Sequence, residues 1–250
     1  MTTAKSLSAE QFGAAAARYR ISPVHAGGPD LAALAEAVKD YGRPRVIDVG
    51  CGAGHAALAV APFASSVLAV DMTEAMLDQT RSLAAERGAA NLETRRADVE
   101  ALPFADGAFD LTVSRYSVHH WSRPETGLAE CLRVSGGRFL VSDILGFADP
   151  GVDTFFQAVE MLRDASHIRD YTLADWRAMA GRAGARVRVL GTWPTGQELE
   201  DWVARIGTPA PKVEILRTLL AEAGDEVRAA LGIADGRFTM TTALLEIVRA

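Results

Sequence analysis

The chain has 250 residues, with 26 Lys and Arg against 32 Asp and Glu and a formal net charge of −6. That balance argues against a whole-surface polyanion binder, which needs a basic excess in clusters. Hydrophobic residues at 49% and charged residues at 23% exclude disordered and fibrous classes. There is no stretch of about 18 apolar residues, and residues 1–10 lack a basic region followed by an apolar run. The only cysteines, Cys51 and Cys131, have no metal-ligand spacing, as in a reducing cytosol. The expectation is a cytoplasmic protein, monomer or homodimer, with no membrane or nucleic-acid partner.

In chain order, the Ala-rich residues 9–20 with Phe12 and Tyr19 read as a helix that stops at Ser22-Pro23, because a residue before proline is biased away from helix. A second helix over 29–41 carries Asp30 in its first turn and an apolar face of Leu31, Leu34, Ala35 and Val38. Strand candidates then follow at 46–49, 67–70, 92–96, 109–114, 138–141, 186–190 and 238–248, most of them apolar. Helical patterns separate the first five, at 54–61, 74–87 and 125–132, with at most a short turn at 102–104. Continuous apolar strands alternating with helices predict an α/β fold: a mostly parallel sheet of seven strands covered on both faces, with an antiparallel last strand. We read a single domain: N-terminal helices over 1–43, a ligand-binding core over 44–148, and lid insertions at 149–171 and 194–235.

The strongest local signal is Val46-Ile47-Asp48-Val49-Gly50-Cys51-Gly52-Ala53-Gly54-His55. Glycines at alternate positions after an apolar strand make a turn that a ligand approaches closely, beside the free N–H groups of the next helix. Residues 52–57 also satisfy the dinucleotide pattern G-x-G-x-x-A, so the glycines alone leave a nicotinamide-dependent reductase open. Asp71, ending the second strand, suits a ribose in either case. Asp48 inside the first strand, Asp98-Val99 after the third, and no Lys or Arg positioned by the turn favour a zwitterionic sulfonium over a pyrophosphate.

The runs VIDVGCGAG, VLAVD followed by MTEAM, RRADVEALPF and FDLTVSRYSVHHW occur in order over residues 9–145. Together they resemble the class I S-adenosylmethionine-dependent methyltransferases, nearest to the small-molecule enzymes akin to the ubiquinone and menaquinone C-methyltransferases. The resemblance implies S-adenosylmethionine as cofactor. Asp48 and the backbone of Gly50, Cys51, Gly52 and Gly54 would hold its methionine part. Asp71 would accept the ribose hydroxyls, with Met72 and Met76 against the adenine, Asp98 on the adenine amine and Val99 beside it. Ser114 and Arg115 would flank the methionine end, and Tyr19 and His25 would close the pocket. Arg115-Tyr116-Ser117-Val118-His119-His120 departs from the quinone enzymes' usual Arg-Asn-Val run, which speaks against a quinone acceptor.

The expected reaction is methyl transfer to carbon or oxygen of a small, partly apolar acceptor; a binding module without turnover is the alternative. Candidate bases are His119, His120 and Asp143, since a neutral imidazole suits removal of a hydroxyl or carbon-acid proton. Arg115, His119, Asp143, His167 and Trp202 are the candidate substrate contacts, with Arg205 facing inward beside Trp202. His119 or His120 with Asp143 and His167 could hold a divalent cation, but without fixed spacing they are not read as a metal site.

Overall fold

The computed structural model describes residues 4–249, so the first three residues of the expected N-terminal helical segment lie outside the described residues. Three helices precede the sheet: α1 (Ala4–Ile21), α2 (Pro23–Ala26) and α3 (Pro29–Lys39). Ser22-Pro23 ends the first as expected, and Pro29 opens the third at its first turn, where its missing N–H costs nothing.

The core then runs β1 (Arg45–Val49), α4 (His55–Val60), β2 (Ser66–Asp71), α5 (Glu74–Glu86), β3 (Leu92–Arg96), β4 (Leu111–Arg115), α6 (Pro124–Val134) and β5 (Arg138–Ile144). There follow α7 (Pro150–Arg163), α8 (Leu173–Arg182), β6 (Ala185–Glu198), α9 (Leu199–Ile206), α10 (Ala210–Ala221), α11 (Asp225–Leu231) and β7 (Arg237–Arg249). The sheet order is β3-β2-β1-β4-β5-β7-β6. Strands β1 to β5 pair in parallel; β7 runs antiparallel between β5 and β6, so the seven-stranded, mostly parallel sheet expected from the sequence is present. β6 is far longer than the five residues expected, because its pairing with β7 continues past a bulge at Val189/Gly191 as far as Glu198. The apolar pattern lapses there, and cross-strand pairing replaces it.

Apolar side chains fill both faces of the sheet, with Leu128, Leu132, Trp176 and Met179 on one side and Leu31, Leu34, Val38 and Val60 on the other. A third cluster joins Phe156 and Val159 of α7 to Leu199, Trp202, Leu216, Leu220 and Leu231 of α9 to α11, with Phe238 and Met240 of β7. The segments around 149–171 and after Glu198 therefore close on one another, above the C-terminal ends of β4 and β5. Among the described residues no helix is long and apolar enough to cross a membrane.

Candidate active site

The order β1-β4 puts the topological switch point between those strands, and in open α/β sheets ligands bind outside the carboxyl ends of strands at this point. Here lies a cavity with about 1060 Å³ of empty space. Its walls include Asp48, Gly50, Cys51 and Gly52 from β1 and its turn; Asp71, Met72 and Met76 after β2; and Asp98 and Val99 after β3. Tyr19, His25 and Arg115 also line it. Gly54 and Ser114 do not; Ser114 Oγ instead donates to the Val49 carbonyl at 2.8 Å, tying β4 to β1.

The glycine turn takes conformations that other residues avoid, with Gly50 at φ +69° and Gly54 at φ +88°. A Cβ at Gly54 would sit 2.6 Å from Thr80 Cγ2, and Thr80 Oγ1 in turn holds the Gly52 carbonyl at 2.9 Å. Gly54→Ala is therefore expected to cost roughly 2–5 kcal/mol, combining left-handed strain with overpacking. A denaturation midpoint equal to wild type would show that the turn relaxes freely.

Two carboxylates give the cavity its electrostatics. Asp48 is fully buried and neither of its oxygens has a hydrogen-bond partner among the described residues. Burial pushes its carboxyl up to about 7, and the Ala57 amide, which makes no hydrogen bond to it within 3.5 Å, offsets this only in part. An orphaned buried acid of this kind is expensive unless a ligand donates to it. Asp71 accepts from Gly52 N at 3.0 Å and Thr73 N at 2.8 Å, and burial raises its pKa despite these bonds.

The site also holds a cation that the sequence reading lacked. Lys5 of α1 reaches across the cavity mouth to Asp98 at 2.6 Å and Glu100 at 2.7 Å. Ninety-three positions separate Lys5 from Asp98, so no local pattern could have paired them.

Arg115 sits at the end of β4, but its guanidinium faces the N-terminal segment. Nε and Nη2 donate to Asp30 at 2.6 and 3.2 Å, and Nη1 and Nη2 to the carbonyls of His25, Val24 and Gly27 at 2.7–3.0 Å. Five bonds of this kind leave it little to offer a ligand. The next residue, Tyr116, has φ +51°, a strained conformation for a bulky side chain at the strand end.

A second, smaller chamber adjoins the first, with about 520 Å³ of empty space. The two share Phe12, Tyr19, His25, Tyr116 and His120 as common walls. His119, Glu160, Arg163, Asp170, Gln197, Trp202 and Arg205 also line the second. Asp143 and His167 lie behind this lining. Asp143 holds the turn that carries both imidazoles, taking Val118 N at 2.9 Å and His119 Nδ1 at 2.6 Å. His167 Nε2 lies 3.2 Å from Gln157 Oε1, its ring centre 5.8 Å from that of His119.

The adjacent imidazoles are oppositely poised. Burial would lower His119, but the charge and hydrogen bond of Asp143, with Asp170 and Glu160 beyond, raise it to about 9. Burial, and then the positive His119, push His120 down to about 4. His120 Nδ1 lies 3.2 Å from the Ser166 carbonyl, which can only accept, so in the neutral ring Nδ1 carries the proton and Nε2 is bare. His119 is thus an imidazolium near neutral pH, unable to act as the resting base that its sequence position suggested. His119, Asp143 and Asp170 also bring one nitrogen and two carboxylate oxygens within 4.8 Å of one another, though the His119 nitrogen is bonded to Asp143.

These shifts set opposite signs for stability. A pKa raised in the folded state gives stabilisation that is complete below 6.5 and lost as pH rises toward about 9. Burial lowers His120 to about 4 and His167 to about 2, so stability also falls as acid protonates the unfolded chain below about 6.5. Denaturation midpoints should decline in acid and again as pH rises toward about 9, where the raised Asp48 contributes up to about 7, and His119→Gln should flatten the part of the alkaline decline between about 7 and 9. An unaltered alkaline limb in that variant would refute the assignment.

Comparison with known proteins bears on the family and the fold. Residues 47–141 match the family described as "Methyltransferase domain". The chain is 35% identical over 219 residues to the uncharacterized methyltransferase YcgJ of Bacillus subtilis, covering 87% of each chain. The YcgJ crystal structure superposes with a TM-score of 0.82, at 32% identity, over 87% of this chain and 97% of that one. A demethylmenaquinone methyltransferase of Renibacterium salmoninarum is more distant, 26% identical over 172 residues and 65% of each chain. The chain belongs to the class I S-adenosylmethionine-dependent methyltransferases.

Proposed function

We propose that the protein binds S-adenosylmethionine in the larger cavity and transfers its methyl group to a small acceptor held in the adjoining chamber. The single observation carrying this reading is Asp48, a buried acid without a partner beneath a glycine turn. Its carboxylate fits the ammonium group of the cofactor's methionine part, and Asp71 fits the ribose. When bound, the cofactor supplies an electrophilic methyl group on a sulfonium, so the chain's task is positioning, worth effective molarities of about 10⁵–10⁸ M.

Tyr19, His25 and Tyr116, at the junction of the two chambers, would orient the acceptor and exclude water. His120, neutral and shared by both chambers, would take the acceptor's proton at Nε2, while His119 keeps the field at that end positive. The segments outside residues 44–148 form the acceptor side: the N-terminal helices and the two insertions that close over the sheet.

The test is calorimetric titration with S-adenosylhomocysteine and with NAD, followed by incubation with labelled S-adenosylmethionine and a panel of phenols, quinols and keto acids. Homocysteine-product binding and label transfer are expected. Tight binding of NAD alone would overturn the reading.

A further inference from the structure

The second chamber is more highly charged than an apolar acceptor requires. Arg163 ends α7 and is buried, with its guanidinium stacked 4.6 Å over the Trp202 ring and its Nε donating to the Trp202 carbonyl at 3.1 Å. Its nearest carboxylate, Glu160, is 3.8 Å away, beyond hydrogen-bonding distance. Arg205, on the inward face of α9, has no carboxylate within 4.0 Å among the described residues and donates only to Gln197 Oε1, at 3.2 Å. The Tyr19 hydroxyl lies beside Arg163, and His25, whose pKa burial and then the charges of Arg205, Arg115, His55 and Arg163 lower, lines the same chamber.

Resting on the methyl-transfer reading, we infer that the acceptor carries a carboxylate or phosphate group, which binds between Arg163 and Arg205 while the rest of the molecule extends toward His120 and the cofactor cavity. Two guanidiniums facing one small chamber repel each other: burial and then Arg163 lower the pKa of Arg205. The acids on the same wall leave both forks unpaired: Glu160 lies 3.8 Å from Arg163, beyond hydrogen-bonding distance, and no carboxylate comes within 4.0 Å of Arg205 among the described residues. An arginine stays charged in such surroundings, and its planar fork suits a two-oxygen anion. The Trp202 ring fixes that fork, so little side-chain freedom remains to be lost on binding. The expected acceptor is therefore a small anionic molecule, which narrows the small, partly apolar acceptor expected from the sequence.

The inference is tested with benzoate and phenyl phosphate as probes against benzamide and benzyl alcohol as neutral counterparts, by calorimetry with and without S-adenosylhomocysteine. At least one anionic probe should bind roughly tenfold or more tighter than its neutral counterpart, and the preference should vanish in Arg205→Gln and in Arg163→Gln. A separate arm measures S-adenosylhomocysteine in Arg205→Gln, where affinity should stay within about twofold of wild type. Equal binding of charged and neutral probes overturns the anionic acceptor. An anion preference that survives in Arg205→Gln overturns the placement between the two arginines. Failure of S-adenosylhomocysteine to bind while the anion preference persists instead overturns the methyl-transfer reading. Benzoate preferred over phenyl phosphate identifies a carboxylate acceptor, and the reverse order a phosphate.

Discussion

Asp71→Ala should lower affinity for S-adenosylhomocysteine by about 100-fold or more in calorimetric titration. Hydrogen bonds to a charged group contribute about 1.5–3 kcal/mol each, and two ribose hydroxyls on one carboxylate account for the loss. The same carboxylate also anchors the turn, taking Gly52 N at 3.0 Å and Thr73 N at 2.8 Å, so the alanine variant frees the backbone that lines the cavity. Asp71→Asn separates these roles. It keeps the shape of the side chain and one acceptor oxygen, and should lie between the alanine variant and wild type. A folded Asp71→Ala protein that binds with unchanged affinity would falsify the ribose assignment.

The largest stability loss is expected from Arg115→Met. The guanidinium and Asp30 are each about 4% exposed and lie 2.6 Å apart, and removing one member of a buried pair typically costs about 3–5 kcal/mol. Here the loss extends to the carbonyls of Val24, His25 and Gly27, and leaves Asp30 with only the Ser142 hydroxyl at 3.0 Å. Urea denaturation should show the drop, and limited proteolysis should show earlier cutting before α3, since this cluster ties the N-terminal segment to the sheet. The double variant Arg115→Met/Asp30→Leu should recover much of the stability, because no uncompensated charge is left inside. A single variant as stable as wild type would mean that the N-terminal segment is held by its apolar contacts alone. Since Tyr19 and His25 stand on that segment, its attachment also completes both chambers.

The lining of the larger cavity was legible because its signals are local. Asp48, the alternating glycines and Asp71 lie in or just after strands that apolar runs announce, Asp98 follows the polar strand β3, and parallel strands bring all those ends to one edge. The acceptor side was much less legible. Ser114 occupied the right position but turned into the sheet, and Arg115 proved to be a fastening for the N-terminal segment. The two adjacent histidines could not be told apart in sequence; their difference comes from Asp143, 24 positions beyond His119, which holds that ring charged, while burial and then the charged His119 push His120 the other way.

By itself, then, the sequence determined the seven-stranded sheet, the glycine turn and the family, because strand periodicity and turn chemistry act over a few neighbouring residues. Only the tertiary structure decided which charges surround the second chamber. Lys5 meets Asp98, Arg115 meets Asp30, and Arg163 meets Trp202 across long stretches of chain. A group's ionisation and partners depend on what burial and packing place around it, and that is settled only once the helices have closed over the sheet.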